Sequence, residues 1–390
     1  MKVNYKVASC SWPDHLVFGQ GDGSLRSIEG LARRMNAWKE VLGAEIIHWR
    51  EIRTRRELST YYASPDNTRT QERIIKSISW DDFEVVPSLA RERGMKAYLY
   101  FSFLDEGRPL PPEEERRTSY HNVMHGQHVT WQTDWSRDNP EYTLVDRSGI
   151  HRQWGVLCYG YPEVQDHMMN RILSYVENTD FQGVFLCTRS QCKPSDFADQ
   201  FGFNPVIVEA YKKRYGTDIM KQDFDLPLWN DLLGETITQF IKRVSQELHK
   251  RNLVLSVGIP RGDVFGPPFG NWTLQWRFWV QAGLVDELVI DQNSSRCPSM
   301  WHDLWPMHRG YGYMQNYLTG KGMLPLEQDI LQNYLPIIRT TNCKLFIARQ
   351  WHGFDSLMDR KLLDLGVDGL VFSTFRFDNP EAIRKGDFRA

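Results

Sequence analysis

Several features that would assign a protein class are scarce or missing in this 390-residue sequence. No charge is in excess, because 47 Lys and Arg stand against 49 Asp and Glu, for a net charge of −2. That balance argues against nucleic acid or an anionic membrane as the main partner. The start, MKVNYKVASCSWPDH, contains no apolar signal-peptide core, and no apolar run is long enough to span a membrane. We therefore expect a cytoplasmic protein, while noting that a secreted mature chain would look the same.

Motifs for cofactors and for several enzyme classes are also missing. The six cysteines do not form a disulfide framework pattern in a chain of this length. Neither a P-loop nor a G-x-G-x-x-G turn follows a predicted strand, so we expect no nucleotide cofactor, and we expect no other cofactor. No G-x-S-x-G elbow occurs, and the first predicted strand lacks the His-x-His of amidohydrolases.

Aromatic residues, in contrast, are abundant. They make up 13% of the chain, with 14 tryptophans. Such a surplus is typical of a cleft that stacks on apolar ligand faces, including those of sugar rings. A tryptophan-rich core would give the same composition, so both interpretations stay open for each tryptophan.

Short apolar runs alternate with amphipathic stretches along almost the whole chain. Continuous apolar runs of this kind are typical of strands buried on both faces of a parallel sheet. Eight strands, each followed by a helix or a long loop, predict a single α/β domain over residues 1–390, a (β/α)8 TIM barrel with long loops after strands three and six. A doubly wound open sheet is the alternative fold. The predicted strands are Lys6–Ser11, Glu45–Arg50, Lys96–Phe103, Gly183–Thr188, Val254–Gly258, Leu288–Asp291, Leu345–Gln350 and Gly369–Thr374.

Helix start and stop signals lie between these strands. The first predicted helix begins with Ser24 as N-cap and ends at Gly43. The second ends at Gly94, and Pro87 should kink it or lie near its start. Pro162 is suited to the first turn of another helix. The last segment is short for an eighth helix, so we expect the barrel to close loosely or against a partner subunit in a homo-oligomer.

Polar residues follow the predicted strands at the point where each strand ends. In DELVIDQNSSRCPSMW, residues 286–301, a short apolar run leads directly into a carboxylate, amides, hydroxyls and a guanidinium. Barrel enzymes carry their active site at the carboxyl ends of the strands. We therefore predict that these side chains bind a saccharide through amides, guanidinium groups and tryptophan faces. The predicted substrate-binding residues are Trp12, His15, Arg189, Gln191, Arg261, Trp272, Gln292, Asn293, Arg296, Trp301, Arg349, Trp351, His352 and Arg376.

Glycoside hydrolysis needs one carboxyl group as acid and another as nucleophile or base. We predict Asp291 and Asp263 as this pair, with Glu106 and Glu51 as further candidates. Asp291 could instead pair with a nearby arginine, and Asp263 could cap a turn. Asp286 and Glu287 lie at the entrance of strand six, which is the stability face of a barrel, and are set aside.

The stretches NPEYTLVDRSG and WGVLCYGYPEVQDHMMNRILSYVENTDFQGVFL, within residues 139–187, resemble the family-10-like glycosyl hydrolases. The resemblance implies a barrel hydrolase that acts on carbohydrate. Such enzymes commonly carry an aspartate at the end of the fourth strand, where this chain has Cys187, Thr188 and Arg189. The acid and base must then come from other strands, or the chemistry differs.

Three further hypotheses follow from the same residues. The arginines after the strands favour an anionic sugar, such as a uronate or a sulfated residue. His121, His125 and His128 would share one helix face, which allows a metal-dependent hydrolase, although a loop lined by imidazoles explains them as well. Without the usual strand-four carboxylate, a barrel that binds saccharide without cleaving it also remains possible.

Overall fold

Eight parallel strands close into a barrel in the computed structural model of the chain. The structure describes residues 4–10, 26–52, 78–107, 109, 132–188, 201–265, 269, 271–290, 324–349 and 356–374. The barrel strands are β1 (Tyr5–Cys10), β2 (Ile46–Arg50), β3 (Lys96–Ser102), β6 (Gly183–Cys187), β7 (Val254–Gly258), β8 (Glu287–Ile290), β9 (Lys344–Ala348) and β10 (Gly369–Ser373). Their order around the barrel is β1-β10-β9-β8-β7-β6-β3-β2.

The first and last strands pair with each other, which closes the sheet. Val7 of β1 lies opposite Val371 of β10 and also opposite Ile46 of β2, all in parallel register. The predicted TIM barrel is therefore confirmed, and the open-sheet alternative is wrong. Each predicted strand is present, and its ends lie within two residues of the prediction.

A two-stranded antiparallel hairpin lies in the long connection between β3 and β6. It consists of β4 (Thr143–Val145) and β5 (Arg152–Leu157), preceded by a 3-10 turn at Pro140–Tyr142. Asn204 joins the hairpin to the chain that follows β6, because its Oδ1 accepts from the Val145 backbone N–H at 3.2 Å. The connection after the third barrel strand is thus ordered structure in its described part.

Helices alternate with the barrel strands. The first helix continues as a π-helical turn at Trp38–Leu42, and a second π-helical turn, Ile330–Tyr334, joins two short helices. None of the helices in the described ranges is long and apolar enough to cross a membrane. The helices are α1 (Ile28–Ala37), α2 (Asp82–Glu92), α3 (Asp134–Asp138), α4 (Pro162–Val176), α5 (Pro205–Tyr215), α6 (Leu226–His249), α7 (Trp276–Gln281), α8 (Leu326–Asp329), α9 (Leu335–Ile338) and α10 (Ser356–Leu365).

The ends of the helices show which sequence signals act. Ser27, and not Ser24, is the N-cap of α1, because its side chain accepts from the Gly30 backbone N–H at 3.0 Å. Gly43 ends the following π-helical turn in the left-handed conformation at φ 73°, as a residue after a helix often does. Pro162 begins α4 as predicted, whereas Pro87 lies inside α2.

The core has two layers separated by the sheet. Successive side chains of a strand point to opposite faces, so one set fills the barrel and the other packs against the helices. The inner set includes Tyr98, Phe185 and Phe346, while Trp49 belongs to the outer set. At the entrance of β8, Glu287 lies in the barrel and accepts a hydrogen bond from the Tyr98 hydroxyl at 3.2 Å. This buried contact agrees with the structural role predicted for the strand entrance.

Candidate active site

Four polar side chains meet inside the barrel near the carboxyl ends of β2, β3 and β6. Alternation along β2 places Arg50 on the same inner face as Ile46. The Arg50 Nη2 atom donates to Asp105 Oδ2 at 3.1 Å, and both side chains are at least nine-tenths buried. Tyr100 and Cys187 belong to the inner core layer beside this pair. We call Arg50, Tyr100, Asp105 and Cys187 the mouth cluster.

Contacts within the mouth cluster fix its geometry. The guanidinium carbon of Arg50 lies 5.3 Å from the ring centre of Tyr100. The Tyr100 hydroxyl donates to Cys187 Sγ at 3.3 Å. Burial alone would lower the pKa of Arg50, but the negative charge of Asp105, with smaller effects of Tyr100, Glu51 and Cys187, raises that pKa above its ordinary value. Arg50 is therefore a permanent cation inside the barrel.

This arrangement offers a carboxylate and a fixed positive charge at the end of the barrel where substrates bind in this fold. Hydrolysis of a glycosidic bond requires one carboxyl group as acid and a second as nucleophile or base. Asp105 can supply one of the two. Asp291 directly follows the last residue of β8 in the sequence and lies outside the described residues.

Glu106, a predicted catalytic candidate, lies behind the barrel wall. It is completely buried, and its Oε2 accepts from the Thr133 hydroxyl at 2.5 Å. Its Oε1 accepts from Arg171 of α4, also at 2.5 Å, and Arg171 in turn lies over the outward-facing ring of Phe101. Both carboxylate oxygens are thus engaged by the outer layer, which favours a structural role for Glu106.

A surface groove of about 690 Å³ lies against the same helix, on the outside of the barrel. In the groove, the Trp135 ring is stacked between Tyr142, at 5.3 Å, and His167, at 4.1 Å between ring centres. Burial, with the positive charge of Arg171, lowers the pKa of His167 to about 3, so its imidazole is neutral. The groove is lined by Trp135, Asn139, Tyr142, Glu163, Asp166, His167, Asn170, Arg171 and Ser174.

Glu51, the other reserve candidate, directly follows β2 and is 5% exposed. Its negative charge contributes to raising the pKa values of Arg50, Asp82 and Arg171. Glu51 therefore belongs to a buried group of charges between β2 and the helices around it. Glu51 is adjacent to Arg50 in the sequence, but it is not one of the four residues of the mouth cluster.

Asp263 lies at the surface and contacts the helix that follows it. Its Oδ1 accepts from Trp276 Nε1 at 3.2 Å and from the Arg277 guanidinium, and its side chain is 59% exposed. Asp263 is thus an exposed carboxylate, whereas the Asp105 side chain is buried. These contacts agree with the alternative in which Asp263 stabilises a turn.

Two of the predicted substrate-binding arginines are engaged by the protein. Arg261 donates to the Leu324 backbone carbonyl at 3.0 Å and lies 3.5 Å from Asp329 Oδ2. Arg349 is one residue beyond β9, and its Nε donates to Asp359 of α10 at 2.7 Å in a buried ion pair. The placement of Arg349 differs from the prediction, because its side chain faces the helix layer and not the barrel interior.

Trp272 was predicted to hold a sugar ring, and the structure contradicts this. It is 1% exposed and stacks on Phe269 with 4.3 Å between ring centres. Seven of the nine tryptophans in the described ranges are buried, so the high aromatic content builds the core to a large extent. The buried tryptophans are Trp38, Trp49, Trp80, Trp229, Trp272, Trp276 and Trp279.

The remaining predicted site residues lie outside the described residues and stay predictions. They include the carboxylate after β8 and the histidines of the possible metal site. In the described part of the chain, no group of three or more His, Cys, Asp or Glu could hold a metal ion. The residues outside the described ranges are Trp12, His15, His121, His125, His128, Arg189, Gln191, Asp291, Gln292, Asn293, Arg296, Trp301, Trp351, His352 and Arg376.

The alternation of residues within β2 and β3 is a sequence signal for the mouth cluster. Arg50 and Tyr100 lie within strands, and a period of two places them on the same face as the inward apolar residues Ile46 and Tyr98. A charged residue on the inner face of a buried strand points to function or to a buried ion pair. Asp105 follows the third barrel strand in the sequence, but its pairing with Arg50 becomes visible only in the three-dimensional structure.

The chain is similar in sequence to a family of glycosyl hydrolase-like proteins and similar in fold to solved glycoside hydrolases. The family model described as glycosyl hydrolase-like 10 matches residues 63–299. No curated protein sequence matches the chain. The glycoside hydrolase domain of PgaB (BpsB) from Bordetella bronchiseptica superposes with a TM-score of 0.52 at 12% identity, over 99% of this chain and 98% of that one.

Two larger enzymes contain a similar barrel. Alpha-L-fucosidase isoenzyme 2 from Paenibacillus thiaminolyticus has a TM-score of 0.51 at 10% identity, over 100% of this chain and 47% of that one. Beta-galactosidase from the psychrophilic Marinomonas ef1 has a TM-score of 0.52 at 10% identity, over 94% and 53%. This chain therefore spans about half the length of both enzymes, and at such identities the likeness concerns the fold alone.

Proposed function

The chain belongs to the glycosyl hydrolase-like 10 family, and from this premise we propose that it hydrolyses a glycosidic bond at the carboxyl end of its barrel. The observation that carries the proposal is Asp105, a carboxylate held by the buried guanidinium of Arg50 inside the barrel. Barrel enzymes place their catalytic groups at this end. Family membership and site geometry thus support the same reaction.

The proposed roles follow from the needs of the reaction. A nucleophile or base must be ionised, and a neighbouring guanidinium stabilises negative charge, so Asp105 suits this role. The second carboxyl group, which protonates the leaving oxygen, is proposed to be Asp291. A saccharide would bind between them, with its hydroxyl groups held by the polar residues after the strands.

A panel of aryl glycosides and oligosaccharides tests this proposal. We expect turnover by the wild type and a loss on the order of 10³-fold or more in Asp105→Asn and in Asp291→Asn, because both groups act in the same transition state. The matched control is Asp138→Asn, which changes a surface carboxylate that pairs with Arg137. Saccharide binding by the inactive variants, measured by calorimetry, should persist.

The finer proposal of an anionic sugar depends on three arginines outside the described residues, Arg189, Arg296 and Arg376. Guanidinium groups would hold a uronate or a sulfate by two hydrogen bonds each. Turnover of acidic oligosaccharides should then exceed that of matched neutral ones. A preference for the neutral set would contradict this part of the proposal and leave hydrolysis itself intact.

A saccharide-binding barrel without catalysis is the second candidate. It is favoured by the end of β6, where the family resemblance implies a carboxylate and the chain has Cys187, a buried thiol that accepts a hydrogen bond from Tyr100. Saccharide binding with no turnover in any variant would support it.

A metal-dependent reaction through His121, His125 and His128 is tested by metal analysis of untagged protein.

A further inference from the structure

The carboxyl end of β2 is held by a buried carboxylate that is not itself in the mouth cluster. Asp82, the first residue of α2, is 0% exposed. Its Oδ2 accepts from the Trp49 indole Nε1 at 3.1 Å and from the Ile52 backbone N–H at 3.2 Å. Trp49 precedes Arg50 and Ile52 follows it by two residues. One carboxylate oxygen therefore holds the chain on both sides of Arg50.

This contact lies beyond the last residue of β2 that is paired with a neighbouring strand in the described ranges. The pairing of β2 with β3 ends at Arg50 opposite Tyr100. Beyond that point, the bond from Ile52 to Asp82 takes the place of a ladder hydrogen bond. Arg50 must keep its guanidinium 3.1 Å from Asp105, so a shift of the strand end would separate the two groups.

We propose that Asp82 is a positioning residue for the reaction: it fixes the end of β2 so that Arg50 holds Asp105 in its reactive orientation. The inference rests on the proposed function of Asp105. Among the described residues, Asp82 makes its hydrogen bonds to Trp49 and Ile52 and none to Asp105, so it would act through Arg50. A misplacement of about 1 Å in such an arrangement can cost on the order of 10²-fold in rate.

Three variants separate positioning from general stability. Asp82→Ala removes the acceptor of both hydrogen bonds. Asp82→Asn keeps an acceptor oxygen in the same place, since both hydrogen bonds go to Oδ2, and Oδ1 has no hydrogen-bond partner among the described residues. Asp81→Ala is the matched control, because Asp81 caps the same helix by accepting from the Phe83 backbone N–H at 2.9 Å and does not bind β2 through that contact.

Hydrogen exchange of the Ile52 amide reports on the strand end without any need for turnover. We expect exchange at least about tenfold faster in Asp82→Ala than in the wild type, because the amide loses the acceptor that Asp82 provides. Exchange in Asp82→Asn should stay within about threefold of the wild type. Equal exchange in the wild type and in Asp82→Ala would overturn the inference, whatever the activity.

Kinetics then test whether the strand end matters for the reaction. We expect kcat to fall about 10- to 100-fold in Asp82→Ala with little change in KM, and to recover in Asp82→Asn. In an Arg50→Gln background, Asp82→Ala should have no further effect, because Asp82 acts through Arg50. An equal fall in that background, or the same fall in Asp81→Ala, would contradict positioning. If the wild type cleaves no glycoside at all, the proposed function fails, and faster Ile52 exchange still supports the contact between Asp82 and the strand end.

Discussion

Asp82 gives a prediction of how stability depends on pH. Burial, together with the negative charges of Glu51 and Asp81, raises its pKa from 3.8 to about 7, although hydrogen bonds from Trp49 and Ile52 oppose the rise. The folded protein therefore keeps this proton up to about pH 7, while the unfolded chain releases it near pH 4. Because the folded state binds the proton more tightly, the contribution of Asp82 to stability is fully present below pH 4 and is lost as the pH rises through about 7.

The size of the effect follows from the two pKa values. Each pKa unit corresponds to 1.36 kcal/mol, so a rise of roughly three units corresponds to about 4 kcal/mol between pH 4 and pH 8. Asp82→Asn cannot titrate, whereas all other groups are unchanged. The free energy of unfolding of Asp82→Asn minus that of the wild type should thus increase by up to about 4 kcal/mol over this pH range.

Denaturant unfolding of both proteins at pH values from 4 to 8 measures this difference. Asp138→Asn serves as the control, because its carboxylate lies at the surface and pairs with Arg137. The difference in free energy of unfolding between Asp138→Asn and the wild type gives the background pH dependence, which the change at Asp82 should exceed. Parallel pH curves for Asp82→Asn and the wild type would refute the reasoning, since they would show that Asp82 titrates alike in the folded and the unfolded chain.

Two further predictions concern residues that the sequence assigned to the substrate. Asp359→Asn should lower the free energy of unfolding by about 3 kcal/mol, because it leaves the buried guanidinium of Arg349 without its ion-pair partner. Denaturant unfolding checks this, with Asp180→Asn, from an exposed pair with Arg91, as a control that costs under about 1 kcal/mol; equal costs would contradict it. Trp272→Ala should cost about 3–5 kcal/mol by the same assay, because its ring packs on Phe269 in the core. Lost saccharide affinity with unchanged stability would instead support the original assignment to the substrate.

Much of the fold could be predicted from the sequence, for a clear physical reason. Strands of a parallel barrel are buried on both faces, so they appear as continuous apolar runs such as VLSVG at Val254–Gly258, where prediction and structure agree. The first residue of a helix was harder to predict from the sequence, because Ser24 and Ser27 are both residue types that suit an N-cap. Only the hydrogen bond from Gly30 to Ser27 identifies the cap in use.

The candidate site was less predictable, because the direction of a side chain beyond a strand end depends on the loop. Arg349 and Asp263 both follow barrel strands, yet one pairs with a helix behind the sheet and the other lies at the surface. The high aromatic content led to the assignment of Trp272 to the substrate, because a tryptophan in the core and a tryptophan that stacks on a sugar ring cannot be told apart by composition. The inward direction of Arg50 could have been predicted, because side chains alternate strictly between the two faces of a strand.

The role of the carboxylate paired with Arg50 is tested most directly by turnover. The wild type, Asp105→Asn and Asp138→Asn should be compared on one broad glycoside panel, at a temperature well below the unfolding transition of each protein, because the buried Arg50 guanidinium loses the charge of Asp105 in Asp105→Asn and this variant should unfold at a lower temperature. The account predicts a cleaved glycoside for the wild type and for Asp138→Asn, and a loss on the order of 10³-fold or more for Asp105→Asn. Undiminished hydrolysis by Asp105→Asn would contradict it.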